Sequence, residues 1–189
     1  MKCHEQMSYA SSAANRVLGV VRNALVSRDL EIWRRLYTVY VRPHLEFAVQ
    51  AWCPHSKGDI KVIEKVQRRA TKIPHCLKDM RYQDRCKRMG IVELTKRRTR
   101  GDLIQMFKIT RGLDVVSWVS QPRTSIARAG RRRQLRREIV NNNQRHNFFT
   151  NRVANSWNTL PNDVVETTSV NEFKNKIDKL ETKLPQRVE

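Results

Sequence analysis

Acidic side chains are scarce in this 189-residue chain: 18 Asp and Glu stand against 38 Lys and Arg, a formal net charge of +20. Such an excess repels itself in a compact chain unless a polyanion is the usual partner. It makes nucleic acid the first candidate and an anionic membrane the second. Long apolar runs are missing too. None approaches the length of a bilayer-spanning helix, and the opening MKCHEQMSYA lacks the hydrophobic segment of a secretory signal. The expectation is an intracellular protein, nuclear or cytoplasmic, with no membrane partner.

Cysteine is limited to Cys3, Cys53, Cys76 and Cys86, irregularly spaced and with no C-x-x-C pair, which excludes a disulfide framework. The sharpest metal reading joins Cys53, His55, His75 and Cys76. Structural zinc sites usually space paired ligands two to four residues apart, and the adjacent His75-Cys76 pair does not. Reduced, partly buried thiols are expected, and no cofactor in this chain.

Catalytic signatures are absent as well. There is no P-loop, no G-x-S-x-G, no H-E-x-x-H and no dinucleotide-binding glycine fingerprint. Asp29, Asp59, Asp102 and Asp114 fall at expected helix starts or ends, where a carboxylate caps or complements the dipole. His44, His55, His75 and His146 have no nucleophile and orienting acid beside them in sequence. The chain by itself is not expected to be an enzyme.

What is present is cationic and helical. Residues 61–100 hold 14 basic and 4 acidic side chains, whereas residues 161–189 hold 5 and 6. After Ser56, a suitable N-cap, GDIKVIEKVQRRATKI runs to Pro74. Ile63, Val66, Ala70 and Ile73 recur at steps of three and four and predict one buried stripe. Lys61, Lys65, Arg68 and Lys72 recur with the same period on the opposite side and predict a ridge of one sign, broken only by Glu64 and Gln67. Phosphate contact and a merely solvated face are about equally expected for such a ridge.

The remaining pattern is also mainly α. Ala13–Val26 predicts a helix, with Ser27 capping a second that places Ile32, Leu36 and Val39 on one side. That helix should bend or restart at Arg42-Pro43, and LEFAVQAW should pack as a further helical piece. Trp33, Tyr37, Tyr40, Phe47 and Trp52 sit among aliphatic neighbours and are expected in the core. ELTKRRTRGDLIQMFKIT predicts a helix cationic at its start, packed at its end and capped by Gly112. Residues 113–130 lose periodicity. The run GRRRQLRREIVNNNQRHNFF leaves three readings open, in order: a small β-hairpin around the Asn triplet, a flexible basic arm, or a nuclear localisation patch. Phe149, Val153, Trp157 and Leu160 form a helical stripe. Ser169 and Glu172 make a capping box before a last helix with Val170, Phe173, Ile177, Leu180 and Leu184 on one face. The expected division is a helical domain over 1–112, a basic linker or hairpin over 113–145, and a helical segment over 146–189.

Taken in order, LYTVYVRPHLEFAVQAWCPH, IEKVQRRATKIP, RRTRGDLIQMFKIT, FFTNRVANSWNTLPNDVV and SVNEFKNKIDK resemble the region after the palm in reverse transcriptases of non-LTR, LINE-type retrotransposons of the jockey and chicken-repeat group. The resemblance runs from about Ala13 to Leu180. It implies a helical thumb and C-terminal part that holds RNA or an RNA–DNA duplex by its backbone, while a Mg²⁺-dependent palm in the missing polymerase domains does the chemistry. The palm's Tyr-x-Asp-Asp signature is absent, so no catalytic residue carries over, and the chain is expected to be a truncated copy. Where the family commonly reads something like Lys-Leu-Ile-Pro-Gly-Leu, this chain has Lys72-Ile73-Pro74-His75-Cys76-Leu77. The expected phosphate contacts are Lys61, Lys65, Arg68, Arg69 and Lys72, with Arg97, Arg98 and Arg100, extended by Arg131, Arg132, Arg133, Arg136 and Arg137. The alternative is a retained or relic interaction protein whose C-terminal apolar helix docks a protein partner.

Overall fold

The computed structural model describes residues 3–118, 124–125 and 134–183, and they are mainly helical, as expected. Two compact units divide the chain, Met1–Arg98 and Thr99–Glu189. The division falls inside a helix, earlier than the Gly112 boundary expected from sequence. Leu103, Met106 and Phe107 in that helix's second half bury their side chains in the second core.

The first unit opens with α1 (Cys3–Ala24), ten residues longer at its start than the periodicity predicts. Helix α2 (Leu30–Leu36) is capped by Asp29, not Ser27: the Asp29 carboxylate accepts from the amides of Glu31 and Ile32. A π-helical turn over Tyr37–Val41 leads directly into α3 (Arg42–Glu46), with Pro43 in its first turn. Pro43 cannot donate to the preceding turn, and its ring needs room there. The wider turn, in which Arg42 N–H reaches back to Tyr37 C=O, supplies that room and replaces the expected hinge.

That extra residue also shifts the buried face beyond it: Trp33, Tyr37, Val41 and Leu45, each four apart, line the core, and Tyr40 is exposed. Ile32 and Val39, expected on the buried stripe, are exposed as well. Helix α3 stops at Glu46, so LEFAVQAW is not a helical piece. Phe47 is exposed, and Ala48 turns the chain at φ 48°, with its C=O accepting from the amides of Ala51 and Trp52.

Helix α4 (Lys57–Ala70) follows, capped by the Ser56 hydroxyl, which accepts from Asp59 N–H at 3.0 Å. A short 3₁₀ turn (His75–Leu77) and α5 (Tyr82–Arg88) come next, and α6 (Leu94–Thr110) begins in this unit. The core joins Met7, Ala14 and Leu18 of α1 to Ile63, Val66 and Ala70 of α4, the predicted stripe, with Leu77, Cys86 and Met89.

In the second unit α6 ends at a glycine in the left-handed region, Gly112 at φ 68°, the expected cap. Strand β1 (Thr124–Ser125) pairs antiparallel with β2 (Gln134–Leu135). A strand pair exists, then, but the Asn triplet is not its turn. Asn142 caps α7 (Asn143–His146) by accepting from Gln144 N–H, the role short polar side chains favour. Helices α8 (Phe149–Asn158), α9 (Asn162–Val165) and α10 (Val170–Lys183) complete the unit.

Phe149, Val153 and Trp157 of α8 meet Phe107, Phe173 and Ile177 in one core, with the Phe107 and Phe173 rings stacked 4.2 Å apart. The Asn158 amide both donates to and accepts from the Leu135 backbone at 2.9 Å, completing the short strand. Ser169 caps α10 through Glu172 N–H, as the capping box requires, while Leu184 lies outside the described residues. No helix among the described residues is long and apolar enough to cross a membrane.

Candidate nucleic-acid interface

Helix α4 sorts its residues by face. Ile63, Val66 and Ala70 are fully buried, and Lys61, Lys65 and Arg68 are exposed on the other side, with Lys72 just past the C-cap also exposed. None of these four cations pairs with a carboxylate among the described residues. The ridge is therefore continuous in charge and open to solvent. Arg69, exposed beside it, donates to the Asn15 side chain on α1 at 2.5 Å.

Glu64 and Gln67 do not interrupt the ridge, as their polarity suggested, because both point inward. Gln67 is 0% exposed, accepts from the Tyr37 hydroxyl at 2.6 Å and donates to the Tyr82 hydroxyl at 2.9 Å. The Tyr82 hydroxyl in turn donates to Glu64 Oε1. Glu64 Oε2 is buried with no partner among the described residues, and burial pushes the Glu64 carboxyl above the ordinary carboxylate range despite that hydrogen bond. Tyr37 and Tyr82 are pushed up by burial, Tyr82 further by Glu64, so both hydroxyls stay protonated as donors. A polar network thus ties α4 to α5 and the π-turn directly behind the ridge.

The Tyr82 ring carries one ridge residue. The Arg68 guanidinium lies over it, Cζ 4.2 Å from the centroid, a cation–π distance. On the same ring, Arg85 stands 5.6 Å away, buried and donating to Thr71 Oγ1 and the Met80 carbonyl. Tyr82 did not emerge from the sequence pattern, yet its signal was there: Tyr82, Cys86 and Met89 step four and three, an apolar stripe in a short basic window.

The arginines of α6 are placed differently from expectation. Arg98 is 4% exposed, with Nη2 donating to the Leu45 carbonyl, and burial holds its pKa below the usual guanidinium value. Arg97 makes a two-point pair with Glu46, one contact at 3.0 Å. In the second unit Arg100 is bidentate to Asp178 at 2.6 and 2.9 Å, which holds the Asp178 carboxyl below its ordinary range. These three are engaged within the fold, so they are not grouped with the α4 ridge.

Arg136 is exposed in the second unit, and Arg137 contacts the His146 ring. Arg131, Arg132 and Arg133 lie outside the described residues. Asp102 is not a cap but sits mid-helix, bidentate to Arg152 at 2.8 Å on both contacts, with both side chains largely buried. Among the described residues no three His, Cys, Asp or Glu side chains are close enough to hold a metal ion, so Cys53, His55, His75 and Cys76 are not brought together as a ligand set. No protein-family model, curated protein or solved structure matches the chain.

Proposed function

We propose that the chain binds RNA or an RNA–DNA duplex through backbone phosphates on the α4 ridge. In this reading it is the thumb-side segment of a retrotransposon RNA-directed DNA polymerase whose catalytic palm lies in other parts. The observation that carries the binding is the row of Lys61, Lys65, Arg68 and Lys72, exposed, of one sign and in no ion pair among the described residues. The polymerase assignment rests on the ordered sequence motifs given above.

Contacts of this kind fix a duplex without reading its sequence. Binding by such charges is electrostatic, with dissociation constants on the order of 10⁻⁴ to 10⁻⁶ M at physiological salt. The aromatic beneath the ridge, Tyr82, is buried under Arg68 and offers no open face for a base to stack on. The apolar stripe of α10 is used inside its own unit, against Phe107 and Trp157, which leaves the alternative of a protein docked there without support.

Fluorescence anisotropy with a labelled RNA–DNA duplex, titrated at several salt concentrations, tests the reading. Affinity should fall steadily as salt rises and be lost when the four ridge cations are changed to Gln. Salt-independent binding, or binding unchanged in that variant, would refute it. The purified chain should show no polymerase activity.

A further inference from the structure

The four ridge cations are not equivalent. Lys61, Lys65 and Lys72 end in flexible stems, whereas the Arg68 guanidinium is seated over a ring that is itself fixed, its Cζ 4.2 Å from the centroid. Tyr82 is 8% exposed, and its hydroxyl is held from two sides by Glu64 and Gln67. With hydroxyl and ring so held, Arg68 has a rigid platform, and the residue is exposed to solvent. A planar guanidinium held in one orientation presents two parallel donors to a phosphate, and little side-chain freedom remains to be lost on binding. Donating its proton toward a carboxylate makes the phenol oxygen push electron density into the ring, and so makes the ring face a better seat for a cation.

The geometry points to Arg68 as the anchoring phosphate contact of the ridge, with Tyr82, fixed by Glu64 and Gln67, as the positioning residue that orients it. This inference rests on the proposed duplex binding and sharpens it: one contact should be geometric, and the other three should act as charge alone.

The test uses the full chain and a labelled RNA–DNA duplex. Arg68→Lys keeps the charge but loses the guanidinium seated over the ring. Affinity should drop roughly twofold to tenfold, the range expected for losing one pre-ordered side chain, with the salt slope unchanged. Lys65→Gln should instead lower the magnitude of the slope by about 0.9, and Lys65→Arg should bind like the unaltered chain. Tyr82→Leu should weaken binding in the unaltered background but add nothing to Arg68→Lys. If Tyr82→Leu fails to fold, the Arg68→Lys result decides alone. Unaltered affinity in Arg68→Lys, with the unaltered chain still binding in a salt-dependent way, overturns this inference only. No binding by the unaltered chain overturns the proposed function with it.

Discussion

Helices α4 and α6 both carry dense basic sequence, KVIEKVQRRATK and TKRRTRGD, and nothing in composition separates them. The fold does. In α4 the cations stand opposite an apolar stripe and form no ion pair among the described residues, whereas in α6 each of Arg97, Arg98 and Arg100 finds an acceptor: Glu46, the Leu45 carbonyl and Asp178. Basic residues stay available to a polyanion where the fold withholds partners from them. Where it supplies partners, the same residues hold the structure together.

The comparison can be broken first at its structural end. Asp102 is the one carboxylate of α6, and Asp102→Ala would remove the ion pair it makes with the largely buried Arg152. A loss of about 3–5 kcal/mol in chemical denaturation is expected. A loss below about 1 kcal/mol would place the pair among ordinary surface bridges.

Glu64 gives the next effect, and it is one of pH. Its carboxyl is raised in the folded state above the ordinary value of 4.5. Below that value both folded and unfolded chains carry the proton. As pH rises through it the unfolded chain ionises first, so stability falls until the folded carboxyl has ionised as well. Glu64→Gln should remove this decline and raise the melting temperature at pH 7, as thermal melts from pH 4 to 8 would show. An identical pH profile in the variant would mean that Glu64 is not held up by burial.

Smaller still is Ala48→Gly. Ala48 adopts φ 48°, a region that disfavours side chains by about 1–2 kcal/mol, and glycine's extra unfolded freedom offsets part of the relief. Stabilisation of up to about 1 kcal/mol is expected, read from denaturant midpoints. The smallest change should come from Arg100→Gln. Its partner Asp178 is half exposed, so less than about 1 kcal/mol should be lost, with duplex affinity intact.

Much of this was legible in sequence where the signal is local. The stripe and ridge of α4, the caps at Ser56, Gly112 and Ser169, and the apolar faces of α8 and α10 follow from spacing of three and four and from the chemistry of single residues. Even Gln67 was readable: it lies four residues after Ile63 and three before Ala70, squarely on the buried face, and only its polarity misled.

Two kinds of feature were not legible. One is the π-turn before Pro43, which adds a residue to the period and moves Tyr40 outward. The other is pairing across distant sequence. Arg97 and Glu46 are 51 positions apart and Arg100 and Asp178 are 78 apart, so no spacing rule could mark those arginines as already engaged.

The contrast between the two helices is tested most directly by the salt dependence of duplex binding in two variants measured side by side. Changing Lys61, Lys65, Arg68 and Lys72 to Gln should abolish a slope of about −3.6 in log affinity against log salt, four contacts at about 0.9 each. Changing Arg97 and Arg100 to Gln should leave that slope as it was. Equal losses in the two variants, or a loss confined to the second, would contradict the account.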